Sequence, residues 1–536
     1  MLFSNLFLLS YTEIAKMSFD WIESSISRGD MLTFSRDFLN YSAAFLPILF
    51  LSTIVISLWC YSSLRDLSLI KSRGVLTLTC IGLLLFYGFS SSFLMNYSIG
   101  GTINATNWYV LFANFTIVLF VLLLIWLRNI SVNLLLYSGT MLIFSLVLLG
   151  SVDLITFYLS FEALSLLTYG IIATNKTVGS SEAALKYFIY GVISSILLIF
   201  GLSLYYISYK TTDWYEIYMY DNILNDSNIF NLVAIILIVL SFSYKMSMFP
   251  FHFSLPDVYE GSATWETIAI INLIVKLTLA LSLFKIWGYF ISQFGITINV
   301  SIVLLILAIA SLIIGCFGAL IQTSVKRFFA YTSINQAGFI VLGLATDNVM
   351  GLQASLVYLV VYMFTLFIFF VGITENNRVI DNILELKDLS FRGKILVVIS
   401  LFSMAGIPPL MGFISKYWVW VSLINVVNQE VSDLYLYLIG LAFITSIIVS
   451  LVSAYYYLRL IKVYVFENTL PMLGNSKFVL PSGAILISLP IVLILMGGWL
   501  AVAENLLNLS WFWAADNYGS WVNYLDTGHY VEWLRS

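Results

Sequence analysis

Four charged side chains stand inside long apolar runs of the sequence. Glu162 lies at the centre of DLITFYLSFEALSLLTYG, and Lys276 lies within NLIVKLTLALSLF. Lys245 precedes Pro250 in VLSFSYKMSMFPFHF, and Lys416 follows a GIPP motif. A charge at the middle of a lipid bilayer costs at least ~2.5 to 3.5 kcal/mol. If these runs cross a membrane, each of the four side chains is a candidate functional group.

The cations inside these runs are all lysines, and this choice favours proton exchange. The ten arginines of the chain fall at or outside the ends of the apolar runs. Arginine does not release its proton in a protein, whereas a desolvated lysine or a buried glutamate can exchange one. A row of one carboxylate and several lysines can therefore pass a proton from site to site, and its titration belongs to the coupled set.

Lys186 and His252 are weaker candidates for the same path. Lys186 follows Glu182 by four residues, so an ordinary i,i+4 ion pair at the membrane surface explains it equally well. His252 fits a packed, hydrogen-bonded core histidine as well as a relay. A static ion pair between Glu162 and one lysine is the alternative for the whole row, and the number of lysines argues against it.

The composition places the chain in lipid. Of its 536 residues, 61% are hydrophobic and only 10% are charged, against roughly 25% charged in ordinary soluble domains. A chain this long does not form one buried core, since soluble domains divide beyond about 250 to 300 residues. The apolar excess must therefore face a bilayer.

The same composition argues against several kinds of site. The net charge is −4 and the cations are scattered, which excludes a nucleic-acid-binding face. The three cysteines form no C-x-x-C pair and the two histidines lie far apart, so neither a metal site nor an iron–sulfur cluster is indicated. Neither a G-x-G-x-x-G nor a P-loop motif is present. We expect no cofactor in this chain.

About 20 apolar residues cross a bilayer as a helix. Continuous rather than alternating apolar runs favour helices over a closed barrel. By this measure the sequence predicts an all-α polytopic membrane protein with about fourteen transmembrane helices. The predicted spans are 42–62, 74–95, 107–127, 132–150, 152–173, 183–207, 230–250, 264–290, 297–322, 328–346, 350–373, 394–420, 434–458 and 480–503.

Prolines mark two of these spans as broken helices. Pro250 falls in the predicted seventh span, and Pro408 and Pro409 fall in the predicted twelfth. Proline inside a helix frees backbone carbonyl and N–H groups, which at membrane depth must line a cavity or be covered by protein. Two breaks five spans apart, each near a lysine, have opposite membrane sense, as in the inverted repeats of ion carriers.

The N-terminal forty residues do not resemble a targeting signal, because acids outnumber bases and the apolar run is short. We expect a polytopic chain of this kind to be made on the side where it inserts. Its many Phe, Tyr, Ile, Leu, Asn and Ser residues lean towards an AT-rich organelle genome. The predicted location is the mitochondrial inner membrane, with an organelle-encoded, multi-pass chain.

Four segments of the chain resemble a known family. They are GSSEAALKYFIYGVISS (179–195), FSYKMSMFPFHFSLPDVYEGSAT (242–264), KRFFAYTSINQAGFIVLG (326–343) and SMAGIPPLMGFISKYWVW (403–420). These segments are similar to the antiporter-like proton-pumping membrane subunits of respiratory NADH:ubiquinone oxidoreductase, complex I, and in particular to its chain 2. The similarity extends over about residues 42 to 500.

The resemblance implies two inverted five-helix repeats. The implied division is an N-terminal extension (1–41), three first helices (42–131), a first repeat (132–290), a second repeat (297–463), a last helix (480–503) and a C-terminal tail (504–536). The first repeat then holds the predicted helices four to eight, and the second holds helices nine to thirteen.

The resemblance also assigns roles to the charged residues identified above, which were chosen because a charge inside the bilayer costs free energy. The family's central carboxylate matches Glu162, the lysine of its sixth helix matches Lys186, and the exit-side lysine matches Lys416. The lysines of the broken seventh helix and of the eighth match Lys245 and Lys276. NADH, flavin, iron–sulfur clusters and ubiquinone are then bound by other subunits, and this chain works among other membrane-arm subunits in the lipid bilayer.

The chain departs from the family pattern at a few positions. The family usually has tryptophan where Ser254 stands and prolines where Ala263 and Trp265 stand. It often has histidine where Gln336 stands, so the substitution leaves any relay through Gln336 in doubt.

We therefore expect a proton-translocating membrane subunit of complex I that holds no redox centre. A subunit of a cation/proton antiporter is one alternative, because it would share the lysine row. A non-pumping membrane scaffold, in which the charges only fix helix packing, is another.

Overall fold

The computed structural model describes the middle of the chain. Continuous stretches cover 107–126, 131–174, 177–214, 229–262, 264–290, 297–374, 391–408, 410–427 and 432–465; further described positions are 77, 79, 80, 83, 97–99, 103–105, 217, 382, 383 and 385. The predicted extension 1–41, spans 42–62 and 480–503, tail 504–536 and Pro409 lie outside the described residues, as does nearly all of 74–95.

A short hairpin precedes the helices of the described region. Strand β1 (Tyr97–Ile99) pairs antiparallel with β2 (Ile103–Ala105), with Ser98 opposite Asn104. This three-residue pairing lies before the first described long helix and leaves the predicted all-helical architecture unchanged. The intervening letters GGT explain the hairpin, since short hairpin loops favour glycine.

The rest of the described chain is helical. The helices are α1 (Asn107–Trp126), α2 (Val132–Gly150), α3 (Leu154–Ala173), α4 (Val178–Tyr209), α5 (Ile229–Lys245), α6 (Ser254–Gly261), α7 (Trp265–Ile270), a π-helical segment (Ile271–Lys276), α8 (Leu277–Phe290), α9 (Thr297–Ile321), α10 (Val325–Leu344), α11 (Val349–Thr374), α12 (Phe391–Ala405), α13 (Met411–Val427) and α14 (Asp433–Val465).

Eight helices of the described region are long and apolar enough to cross a bilayer. Helix α7, the π-helical segment and α8 together make one of them, Trp265–Trp287. Three shorter apolar helices lie in the same region, namely Phe230–Lys245, Gly393–Ala405 and Met411–Val427. The chain is a multi-pass integral membrane protein, as its composition predicted.

Two predicted spans differ from the helices that they cover. The span 230–250 ends early, because α5 stops at Lys245 and α6 begins only at Ser254. The span 394–420 is divided between α12 and α13, with Gly406 in the left-handed region at φ +81°. A left-handed glycine ends a helix without steric cost, and the following proline cannot donate an N–H to continue it.

Helix α10 lies at the centre of the described fold. Of its 20 residues, 18 are buried, and the span Trp265–Trp287 is buried except at Glu266 and Lys285, which are half-buried. Helix α9 packs closely on α10, because Gly315 has no side chain where the two backbones meet. A Cβ atom on Gly315 would lie 2.5 Å from the backbone nitrogen of Asn335.

This contact predicts a position-dependent effect of adding one methyl group. Gly315→Ala requires α9 and α10 to separate, and we expect it to lower the free energy of unfolding by about 1–3 kcal/mol. Gly440→Ala is the control, because nothing lies within 4 Å of a Cβ atom at that position of α14. Thermal unfolding of the two purified variants measures both; equal stability of the two would contradict this close packing.

Candidate functional site

Lys245 is the last residue of α5, and its side chain turns into the protein. It is 4% exposed, and its Nζ donates a hydrogen bond of 2.8 Å to the backbone carbonyl of Phe161 in α3. The same Nζ lies 3.5 Å from the centroid of the Phe161 ring. A neutral carbonyl and an aromatic face therefore hold this ammonium group.

Glu162 follows Phe161 and acts on Lys245 without touching it. The Oε2 atom of Glu162 is buried and has no hydrogen-bond partner among the residues that the structure describes. The Glu162 carboxylate interacts electrostatically with Lys245, but no ion pair of 4.0 Å or less joins them. The structure thus brings this acid and this lysine to one site without pairing them.

Lys276 ends the π-helical segment. Its side chain is 6% exposed, and its Nζ donates a hydrogen bond of 3.1 Å to the hydroxyl of Ser333 in α10. The ring centroid of Tyr259 lies 5.7 Å from the same nitrogen. A π-helical turn inserts one extra residue and changes the direction of the side chains that follow. This turn lies directly before the lysine that reaches across to α10.

Lys416 reaches back from α13 to the end of α12. Its Nζ donates hydrogen bonds to the carbonyls of Met404 (2.9 Å) and Ala405 (3.0 Å), and the side chain is 3% exposed. A cation at a helix C-terminus satisfies carbonyls that have no partner within the helix. The break after α12 therefore supplies the oxygen atoms that hold this lysine.

Lys186 lies elsewhere, in a charged network at the end of the helices. Its side chain is 43% exposed and pairs with Glu182 at 2.9 Å and with Asp257 at 3.4 Å. Arg327 pairs with the same Asp257 at 3.0 Å and with Glu260 at 2.8 Å. This network joins α4, α6 and α10, and it includes the i,i+4 pair that was the simple alternative for Lys186.

His252 occupies the connection between α5 and α6. It is buried, and its Nδ1 has no hydrogen-bond partner in the described part of the chain. Its ring lies 4.0 Å from that of Phe253 and 6.3 Å from that of Phe249, measured between centroids. Pro250 lies in the same connection, and Pro408 lies between α12 and α13.

Two further lysines have internal partners that the sequence did not indicate. Lys326 is buried and donates to the carbonyl of Ser262 at 3.0 Å. Lys285 donates to the carbonyls of Leu149 (2.9 Å) and Ser151 (2.5 Å) at the end of α2. Both lysines stand near the ends of apolar runs, where a long side chain ordinarily extends to water. No local signal in the sequence points to these contacts.

Lys245, Lys276 and Lys416 share one property that bears on chemistry. Each is buried and bonded to a neutral oxygen, and no carboxylate of the described residues lies within 4.0 Å of its Nζ. Such an amine is not locked by a fixed counter-ion, and a desolvated lysine can exchange its proton. The three sites suit stepwise proton transfer.

The described residues contain no candidate metal-binding site. Among the residues that the structure describes, no group of three or more His, Cys, Asp or Glu side chains could hold a metal ion. The two described cysteines, Cys80 and Cys316, are both free and buried.

The amino-acid sequence is similar to one protein family and to named bacterial proteins. Residues 151–448 match the family described as NADH:quinone oxidoreductase/Mrp antiporter, TM. The protein named NADH-quinone oxidoreductase subunit N from Wolbachia sp. subsp. Brugia malayi is 34% identical over 356 residues, which cover 64% of this chain and 72% of that protein. The protein of the same name from Laribacter hongkongensis is 30% identical over 376 residues, covering 66% and 74%.

Solved structures share the fold at lower identity. A chain of respiratory complex I from Thermus thermophilus with bound aureothin has a TM-score of 0.66 at 21% identity, covering 84% of this chain and 96% of that chain. A chain of the archaeal membrane-bound sulfane sulfur reductase has a TM-score of 0.72 at 21% identity, with 90% and 97% covered. A chain of the Mrp complex from Dietzia sp. has 0.69 at 17% identity, with 89% and 97% covered.

The family expected from the four sequence segments is thereby confirmed. The match covers more than half of the chain and includes Glu162, Lys245, Lys276 and Lys416. The chain belongs to the family of antiporter-like membrane subunits found in NADH:quinone oxidoreductases and Mrp antiporters.

Proposed function

We propose that this chain is a proton-translocating membrane-arm subunit of a respiratory NADH:quinone oxidoreductase. The observation that carries the proposal is the burial of Lys245, Lys276 and Lys416 on neutral oxygen atoms in the interior of an integral membrane protein. The names of the relatives support the assignment to this complex. Redox chemistry in other subunits would supply the energy.

The proposed path begins at Glu162 and Lys245, which interact electrostatically without forming an ion pair. A change in the charge of Glu162 alters the field at Lys245 and shifts its proton towards Lys276. Lys416 releases the proton at the far end of the row. Lys186, at the exposed edge, and His252, in the break after α5, exchange protons with the start of the row.

The proposed topology is larger than the described region. It comprises fourteen transmembrane helices, with two inverted five-helix repeats at 132–290 and 297–463. The flanking parts are 1–41, 42–131, 480–503 and 504–536. The likeness to solved chains over 84% to 90% of this chain supports a shared fold. The interruptions after Lys245 and after Ala405 give each proposed repeat one broken helix.

The proposed partners are the other membrane-arm subunits of the complex and the lipid bilayer, and no redox centre is assigned to this chain. NADH, flavin, iron–sulfur clusters and ubiquinone belong to the other subunits.

The proposed location is the mitochondrial inner membrane, and the proposed counterpart is chain 2. Both rest on composition and sequence motifs, since the named relatives are bacterial proteins called subunit N.

A cation/proton antiporter is the second candidate, and the likeness to the Mrp complex chain favours it. The two functions differ in their partners. Isolation of the native assembly from its membrane distinguishes them, because the proposed complex contains flavin and iron–sulfur subunits. An assembly that lacks those subunits and exchanges cations for protons would contradict the proposal.

Replacing the central lysine tests proton transfer directly. Lys276→Met keeps the length of the side chain but removes the exchangeable proton, and we expect proton pumping to fall about 100-fold or more. Lys462→Met is the matched control, because Lys462 is an exposed lysine at the end of α14. Uptake of protons by vesicles that contain the assembled complex measures both. Undiminished pumping by Lys276→Met would support the scaffold alternative.

Arginine at position 245 separates charge from proton exchange. Lys245→Arg keeps a cation beside Glu162 but does not release its proton. We expect the ratio of protons pumped to electrons transferred to fall, while Lys245→Met, without charge, gives a similar or larger loss. Vesicle assays are compared at equal amounts of assembled complex. A normal ratio in Lys245→Arg shows that the residue holds charge only.

Lys416 has a structural role in addition to the proposed release of protons. Lys416→Met leaves the carbonyls of Met404 and Ala405 without their donor, and we expect a loss of about 1–3 kcal/mol in the free energy of unfolding. Lys416→Arg keeps donors and should retain more stability, yet pump poorly. Thermal inactivation and proton uptake are measured on the same preparations. Equal stability of the two variants would refute the structural role.

A further inference from the structure

Between the side chains of Lys276 and Lys416 lies a part of helix α10 that has no lysine, acid or histidine. This stretch carries Ser333, Gln336 and Phe339, which lie on one side of the helix at three-residue spacing. Lys276 binds Ser333, and Nζ of Lys416 lies 5.3 Å from the centroid of the Phe339 ring. Three-residue steps of about 4.5 Å separate these positions along the helix.

Gln336 stands in the middle of this stretch and is held by two tyrosines. The hydroxyl of Tyr358 in α11 donates to Gln336 Oε1, and Gln336 Nε2 donates to the hydroxyl oxygen of Tyr457 in α14 at 3.4 Å. All three residues are buried. An amide is not an acid or base near neutral pH, so Gln336 orients the two hydroxyls rather than exchanging a proton itself.

Tyr362 adds a third hydroxyl to the same place. It follows Tyr358 by one turn of α11, so the two side chains share a face. Tyr362 is 6% exposed, and its hydroxyl has no hydrogen-bond partner among the described residues. The residue lies close enough to three other tyrosines to interact with them electrostatically, namely Tyr259, Tyr358 and Tyr457. A buried hydroxyl without a partner is costly, and in a polar site a bridging water can supply the missing hydrogen bond.

The tyrosines also connect the two lysines at the ends of the stretch. On one side, Tyr259 donates to Asn272 Oδ1 and lies beside Lys276. On the other, the ring of Tyr457 packs on that of Tyr456, with centroids 4.6 Å apart. Cys316 interacts electrostatically with Tyr457 and with Lys416. Tyr259 therefore lies at the Lys276 end of the stretch, and Cys316 lies near Tyr457 and Lys416 at the other end.

We propose that the hydroxyls of Tyr362, Tyr358 and Tyr457, together with water, transfer protons between Lys276 and Lys416. The proposal rests on the proposed function. The proton leaves the Lys276 ammonium, and each hydroxyl accepts one proton on a lone pair while releasing its own to the next acceptor. The neutral Lys416 amine receives the last proton. The tyrosines undergo no net change, and Gln336 is a positioning residue.

Phenylalanine substitution tests this path, because it removes only the hydroxyl. Tyr362→Phe and Tyr457→Phe should each lower the rate of proton uptake by about tenfold, less than the ~100-fold or more of a fully lost proton-transfer group, because water can occupy the space. The solvent deuterium isotope effect on uptake should rise in both variants, since this transfer becomes rate-limiting.

Tyr435→Phe is the matched control for the experiment. Tyr435 is buried on α14 like Tyr457, but its hydroxyl donates to the carbonyl of Ala345 at 2.7 Å, away from the two lysines. We expect normal uptake and an unchanged isotope effect in this variant. All variants are measured in vesicles that contain equal amounts of the assembled complex, alongside Lys276→Met.

The outcomes separate this inference from the function on which it rests. Normal uptake in Tyr362→Phe and Tyr457→Phe, with Lys276→Met impaired, overturns the tyrosine path and leaves the proposed function standing. Equal losses in Tyr435→Phe and Tyr457→Phe overturn it also, because loss of a buried hydroxyl would then act through packing. Normal uptake in Lys276→Met overturns both.

Discussion

The fold depends on how buried ammonium groups are satisfied where water is scarce. An amine in the interior of a membrane protein must find oxygen atoms, and regular helices have already used most of their carbonyls. Lys416 uses the last two carbonyls of a helix that stops at Ala405. Lys245 shares the carbonyl of Phe161. The end of α12 is thus part of the Lys416 site, whereas the carbonyl that binds Lys245 lies within the regular helix α3.

Neutral partners have a consequence for function. A carboxylate in direct contact would hold each lysine in its charged form and cost desolvation of two ions. A carbonyl or a hydroxyl binds the ammonium form but leaves it free to lose a proton when a nearby charge changes. Glu162 lies near Lys245 without direct contact, and so it can alter the field at Lys245 without fixing the charge of the amine.

Much of this arrangement is predictable from the sequence, but the pairings are not. Charges inside apolar runs identified Lys245, Lys276 and Lys416, because their cost in lipid is a local property. The prolines indicated where two helices are interrupted, although α5 ends five residues before Pro250. The partners lie far away in the chain: Lys245 is 84 residues from Phe161, and Lys276 is 57 from Ser333. Only tertiary packing brings them together, as it also brings together the tyrosines around Gln336.

An experimental density map of the assembled complex that resolves ordered water tests the central claim most directly. We expect water molecules that bridge Lys245, Lys276, the hydroxyls around Gln336 and Lys416 in hydrogen-bonded steps. A layer of apolar side chains between two successive sites, too thick for water to bridge, would contradict it.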